Sequence, residues 1–307
     1  MAASYLTLTD AALADRAAQA LSRLAHCDLC PRLCGVDRGA GQLGYCRSGR
    51  LARVASWHAH MWEEPPISGW QGSGTIFFSN CTARCLFCQN YPISQLGVGE
   101  EKGAEQLARI MLRLQRQGCH NINLVTPTHW VPQILEALLI ARRGGLQLPL
   151  LYNTSGYDRP ETLRLLEGIV DIYLPDSKYA DDAAARRLSD YVRYVEHNRA
   201  ALLEMARQVG AQLTVDDDGL AARGLVIRHL VLPGGLSQTA EVLRWLEENL
   251  GQGLYVSLMA QYFPAHRAVG DAVLGRRLTA EEYAEAVAAL HEVGFENGWQ
   301  QELSADD

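Results

Sequence analysis

Short apolar runs of strand length alternate with stretches whose apolar residues recur every three or four positions, and this alternation sets in at residue 74. The runs at 74–80, 121–126, 148–153, 171–175, 225–232 and 254–259 predict strands. Helices are predicted at about 104–118, 131–143, 160–167, 181–209 with a break near Ser189, 238–250 and 279–293. In the first of these, Leu107, Ile110, Met111 and Leu114 form one buried stripe. Pro160 stands at a first-turn position, where its missing N–H is tolerated. Six β/α units of this length predict parallel strands joined by right-handed crossovers. The expected fold class is α/β, a partial (β/α)6 barrel of the TIM type, left open because it is two units short of eight. Periodicity alone leaves a doubly wound sheet as the rival topology.

Upstream, residues 9 to 25 read as an amphipathic helix capped by Thr9 or Asp10, with Leu13, Ala17, Leu21 and Leu24 on the face that packs against the main domain. Residues 51 to 73 read as a connector rich in Trp, Gly and Pro. His58 and His60 would share one face of a strand there, and satisfied histidines beneath an indole are the expectation. The chain therefore divides into an N-terminal part, 1–73, with helix, cysteine-rich segment and connector, and a core, 74–307, that includes the C-terminal helix. Phe295 to Gln300 read as a glycine turn with a packed Trp, and 305–307 as a frayed end.

Composition narrows the function. Apolar content of 48% with 21% charged residues is that of an ordinary globular protein. A net charge of −7 and the lack of any basic run argue against nonspecific nucleic-acid binding. No window has the uncharged apolar length of a membrane span, and Asp10 and Asp15 interrupt the first apolar segment, so no signal peptide is expected. The expected location is the cytoplasm, where clustered cysteines bind metal more often than they form disulfides. Lys102 and Lys178 are the only lysines, which draws attention to each.

Seven of the eight cysteines fall into two groups, leaving Cys119. Cys81, Cys85 and Cys88, spaced C-x3-C-x2-C, directly follow the first predicted strand. Three thiolates on a four-iron cube leave one iron free of protein ligands, the open position a metal centre needs to take up a substrate or cofactor. A zinc knuckle would need a fourth ligand nearby, and Asn80, Gln89 and Asn90 are poor candidates. Cys27, Cys30, Cys34 and Cys46 form the other group, with Gly35, Gly39, Gly41 and Gly44 letting the backbone turn around it. Four thiolates suit zinc and an iron–sulfur cluster alike, and the spacing does not choose between them or exclude free structural thiols. Polar residues follow the predicted strands at 126–129, 153–157, 176–178, 233–235 and 261–266, the strand ends where α/β folds place their sites.

The C-x3-C-x2-C spacing with Phe87 before its last cysteine resembles the signature of the radical S-adenosylmethionine (radical SAM) superfamily. The Cys-Asp-Leu-Cys-Pro-Arg-Leu-Cys-Gly stretch from Cys27, Gly-Ser-Gly-Thr at 72–75, Cys-Gln-Asn at 88–90, Thr-Pro-Thr-His at 126–129 and Tyr-Asn-Thr-Ser-Gly-Tyr at 152–157 narrow the resemblance to the pyruvate formate-lyase activating enzyme-like, PflX-type branch. The resemblance implies a [4Fe-4S] cluster on Cys81, Cys85 and Cys88 that binds SAM, with Phe87 near the adenine. It places Asn153 and Thr154, together with Asp176 and Lys178, at a monovalent-cation site and at the SAM methionine moiety, and Arg228 and His266 near SAM. Two departures stand out. Thr126-Pro127-Thr128-His129 replaces the usual Gly-Gly-Glu, so Thr126 or Thr128 is expected to supply a hydroxyl there, and Asn153 replaces the usual Asp.

The function expected is an enzyme that cleaves SAM reductively to a 5′-deoxyadenosyl radical and abstracts hydrogen from a carbon. Its substrate would be a glycyl Cα on a partner protein, another peptide or a small molecule. A flavodoxin- or ferredoxin-type protein would donate the electron. The alternative is a non-catalytic iron–sulfur electron carrier or redox sensor centred on the N-terminal cysteines. In a third reading, those cysteines deliver electrons or dock the substrate of the enzyme.

Overall fold

The computed structural model describes residues 2–303. Helix α1 (Asp10–Ser22) is followed by a long loop, then β1 (Ala52–His60), α2 (Pro65–Ser68), β2 (Ser73–Phe78), α3 (Tyr91–Ser94) and β3 (Glu100–Lys102). The alternating part runs through α4 (Ala104–Arg116), β4 (Ile122–Val125), α5 (Val131–Arg143), β5 (Leu150–Thr154), α6 (Pro160–Leu163) and β6 (Ile172–Pro175). It continues with α7 (Asp182–Ser189), α8 (Tyr194–Val209), β7 (Thr214–Val215), β8 (Ala221–Leu230), α9 (Thr239–Leu250), β9 (Tyr255–Met259), α10 (Ala280–Val293) and β10 (Asn297–Gln300). Residues 305–307, expected to fray, lie outside the described residues.

The strand order is β10-β9-β8-β6-β5-β4-β2-β1-β3, with the short β7 paired to β8. From β2 to β10 every neighbour on this path is parallel, and the strands follow one another in chain order. A doubly wound sheet reverses the order of its parallel strands part-way; here they never do, so this is an open, singly wound barrel with β10 and β3 at its edges. Four strands, β1, β3, β7 and β10, escaped the pattern of the sequence, and β1 and β10 flank the run of parallel strands. Ala52 to His60, read as a connector, is β1, antiparallel to both β2 and β3. Residues 297–300, read as a turn, pair with β9 as β10. Neither shows apolar alternation, and both are strands because a neighbour offers them its free backbone edge.

Alternation along the parallel strands builds two layers. Ile76, Leu124, Tyr152, Tyr173, Ile227 and Val256 face outward into the core shared with the helices. The opposite parity faces inward. Leu151, Ile172, Leu174 and Val226, plugged by Ile67 of α2, close one end of the barrel. Phe77, Val125, Asn153, Arg228, Ser257 and Met259 line a cavity near the carboxyl ends. Thr9 caps α1 through the Ala12 amide (3.1 Å), and Leu13, Ala17 and Ala20 pack it into the main core beside α5. The predicted break near Ser189 is a turn in which Asp190 and Arg193 adopt left-handed backbone angles between α7 and α8.

Helix α10 starts with a capping box. Thr279 accepts from the Glu282 amide (3.2 Å), and the Glu282 carboxylate accepts from the Thr279 amide (3.0 Å). Arg276 holds the Glu282 carboxyl down at about 2, against burial that acts the other way, with the Thr279 and Gly234 amides adding to the pull. Thr279→Ala is expected to lower the unfolding free energy by about 1 kcal/mol, read from denaturant midpoints. The contribution of Glu282 should be complete above its ordinary value of 4.5 and fade as the pH falls toward 2. In Glu282→Gln that acid-dependent loss should be smaller.

Candidate active site

The loop that leaves β2 carries Cys81, Cys85 and Cys88 and is held on several sides. Arg84 and Leu86 donate their amides to Ser189 and Leu188 at the end of α7 (3.0 and 2.8 Å). The amides of Arg267 and Ala268 both reach the Leu86 carbonyl (3.0 Å each), and the Gln95 side chain reaches the Cys85 carbonyl (2.9 Å). All three cysteines are free and line one cavity of about 770 Å³ at the strand ends. Burial pushes the Cys81 thiol up to about 11 and the Cys85 thiol up to about 12. With nothing bound these sulfurs are neutral, so a thiophilic cation must displace their protons.

Across the cavity, the Lys178 ammonium lies 2.6 Å from the Asp176 carboxylate. Burial acts to lower the lysine's pKa, but the Asp176 carboxylate outweighs it, so Lys178 is held above its ordinary value and stays charged. Asn153 lies in the cavity wall beside Thr126, whose amide donates to the Asn153 carbonyl (2.9 Å). Thr126 itself has φ +61, an uncommon left-handed setting for a β-branched residue. Gly156, at φ +70, lets the loop after β5 close on β6; a Cβ there would meet the Asp176 carbonyl oxygen at 2.2 Å.

A second charged group sits in the same wall. The Arg228 guanidinium grips the Glu64 carboxylate with two hydrogen bonds (2.7 and 2.6 Å) and also pairs with Glu63. Asn123 donates to Glu63 (2.8 Å). Burial acts to raise the Glu64 carboxyl, but Arg228 outweighs it and holds the group below its usual range.

The profile of the family described as "Radical SAM superfamily" matches residues 75–234. The chain belongs to the radical SAM superfamily. It is 29% identical over 272 residues to the Methanocaldococcus jannaschii protein MJ0674, described as uncharacterized, covering 85% of this chain and 73% of that one. A second protein of that organism, MJ0808, is 25% identical over 158 residues, 46% of each chain. Among solved structures, the FeFe-hydrogenase maturase HydG from Carboxydothermus hydrogenoformans shares the fold with a TM-score of 0.51 at 11% identity, over 72% of this chain and half of its own.

Membership of this superfamily implies a [4Fe-4S] cluster and SAM, and the cavity fits both. It offers three soft donors, a cation and an amide within one space of adequate volume. Among the described residues no three His, Cys, Asp or Glu side chains stand closed around one point, so both Cys81, Cys85 and Cys88 and the four N-terminal cysteines line their spaces and would draw together on a bound group.

The structure brings Phe87, Thr126, Asn153, Thr154, Asp176, Lys178 and Arg228 to the cavity with the three cysteines. Thr154 is nevertheless committed inward: its hydroxyl donates to the buried Asp158 carboxylate (2.6 Å) and lies 3.1 Å from the Thr128 hydroxyl. Thr128 lies outside the cavity lining, leaving Thr126 as the member of its pair that faces the cavity. His266 is also outside the lining, stacked on Tyr91 with ring centroids 4.6 Å apart. His58 and His60 gather around Phe77 rather than an indole. Cys27, Cys30, Cys34 and Cys46 surround a separate, much smaller space.

Sequence reasoning missed Glu63, Glu64 and Tyr191. The adjacent carboxylates before Pro65 in an otherwise apolar connector were the available signal for the first two. Tyr191 carried none: its buried hydroxyl has no hydrogen-bond partner among the described residues, and the residue lines the cavity that holds the thiols.

Replacing Arg228 with Met would leave two buried carboxylates side by side. The expected cost is about 3–5 kcal/mol of stability at neutral pH, read by denaturant titration. The gap to the parent protein should narrow as the pH falls: without Arg228 burial raises the Glu64 carboxyl, so the variant takes up its proton above the ordinary value of 4.5, and the parent, held low by Arg228, does so only below it.

Proposed function

We propose that the protein cleaves SAM reductively and removes a hydrogen atom from a carbon of a second substrate. The observation that carries this reading is the convergence of Cys81, Cys85 and Cys88 with the Asp176–Lys178 pair in one cavity at the carboxyl ends of the parallel strands. Cys81, Cys85 and Cys88 would hold a [4Fe-4S] cluster, which would supply the electron that splits SAM bound in the same cavity. In balance, one electron from a donor and one hydrogen atom from the substrate convert SAM to methionine and 5′-deoxyadenosine, leaving a substrate radical.

The chain's own groups bind, orient and shield. Lys178 offers a charged donor to the SAM carboxylate, and Asp176 fixes where that donor points. Asn153 presents an amide to the same region. Phe87, edge-on to Tyr262 at 5.9 Å, gives the purine an apolar neighbour. A second metal at Cys27, Cys30, Cys34 and Cys46 belongs to this reading, as does an electron donor of the flavodoxin or ferredoxin type.

The rim supports a peptide or protein segment as second substrate, as expected of an activating enzyme-like protein. Trp62 lines the cavity yet is 87% exposed, and an adjoining cavity of about 650 Å³ reaches Phe263 through Gln89 and Gln261.

Changing Cys81, Cys85 or Cys88 to Ala is expected to abolish 5′-deoxyadenosine formation in protein reconstituted without oxygen; persistence of the product would sink the proposal. Lys178→Met should weaken SAM binding by about 10- to 100-fold, the worth of one charge-assisted hydrogen bond. Adding SAM should shift the EPR spectrum of the reduced parent protein, and a spectrum that does not move would mark an electron carrier instead.

A further inference from the structure

We propose that Cys27, Cys30, Cys34 and Cys46 bind a single divalent thiophilic ion, zinc, and that this ion clasps the loop carrying Cys81, Cys85 and Cys88. The first argument is size. The four cysteines, all free, surround a space of about 10 Å³, room for one water-sized body. One zinc ion with thiolates at about 2.3 Å suits such a space. A cube of four irons and four sulfides would have to push these walls apart, whereas the main cavity of about 770 Å³ already has room for one. Gly44 belongs to the same close fit, because a Cβ there would stand 2.9 Å from the Cys34 sulfur.

The second argument is charge. Four thiolates around a divalent ion carry a net charge of −2, and two guanidiniums, Arg32 and Arg38, line the same space. Arg38 is 1% exposed and donates to the Gly49 carbonyl (2.8 Å), the His129 carbonyl (2.8 Å) and the Cys27 sulfur (3.9 Å). Among the described residues no carboxylate pairs with it. A buried guanidinium needs a counter-charge, and the thiolate set provides one. The Tyr45 amide points at the Cys34 sulfur (3.4 Å) in the same sense. His129 borders the space, and among the described residues its buried Nδ1 has no hydrogen-bond partner.

The third argument is connection. Arg32 donates to the Thr82 carbonyl (3.0 Å) and to the Asp190 carbonyl (2.5 Å). Arg84 donates back to the Tyr45 carbonyl (2.6 Å), and both guanidiniums lie over the Tyr45 ring, at 3.6 and 4.6 Å. Asn80 reaches the Arg47 carbonyl and the Ser48 hydroxyl, both at 3.2 Å. The segment closed by the ion therefore grips the cysteine loop at its start and its middle. The ion itself is independent of SAM chemistry; its role as a clasp rests on the proposed function.

The test is metal analysis of the variant with Cys81, Cys85 and Cys88 all changed to Ala, purified without oxygen. About one zinc per chain and no iron is expected; about four irons, or neither metal, would overturn the assignment. Adding Cys30→Ser and Cys46→Ser should remove the zinc. Should that variant fold poorly, cobalt replacing zinc in the parent chain reads the site directly. Thiolate-to-cobalt charge-transfer and tetrahedral bands are expected, and a weak octahedral spectrum would overturn the site. Stripping zinc from the parent chain should speed hydrogen exchange over residues 79–90 by about tenfold or more, and unchanged exchange removes the clasp. A parent protein that keeps its zinc yet does not cleave SAM would overturn the proposed function and leave the zinc site standing.

Discussion

The whole site depends on the two-residue repeat of side chains along parallel strands. Because β2, β4, β5, β6, β8, β9 and β10 all run the same way, one parity feeds the helix-covered core and the other feeds the barrel interior. All carboxyl ends then meet at one rim. Residues far apart in the chain, Cys85, Asn153, Asp176 and Arg228, become neighbours without any of their own loops having to be long.

Charge inside this interior is held in pairs. Arg228 faces Glu63 and Glu64, and Lys178 faces Asp176. An unpaired ion in this setting would carry a heavy desolvation cost, so pairing lets the wall stay polar. Arg38, near the four N-terminal cysteines, is the exception in having carbonyls and a sulfur as partners, and it is buried as deeply as any of them.

The cysteine loop is set by its surroundings more than by its own sequence. Helix α7, the segment at 267–268 and the segment at 32–48 each contribute hydrogen bonds to it. A loop with thiols at so short a spacing has little secondary structure of its own, and these contacts replace what a helix or strand would supply.

The sequence by itself determined the strands that carry the parallel sheet, the helices between them, and the three cysteines after β2, since periodicity and ligand spacing are local properties written in consecutive residues. It determined a capped start for α1 for the same reason, as Thr9 acts on an amide three residues away. Tertiary structure alone decided that β1 and β10 are strands, because their hydrogen bonds come from edges made elsewhere in the chain. It also decided which hydroxyl of Thr126 and Thr128 faces the cavity, that His266 lies outside it, and that Glu63 and Glu64 share Arg228 across more than 160 residues of chain. Those outcomes are settled by which way a side chain points once a distant backbone has arrived, and no spacing along the chain encodes that.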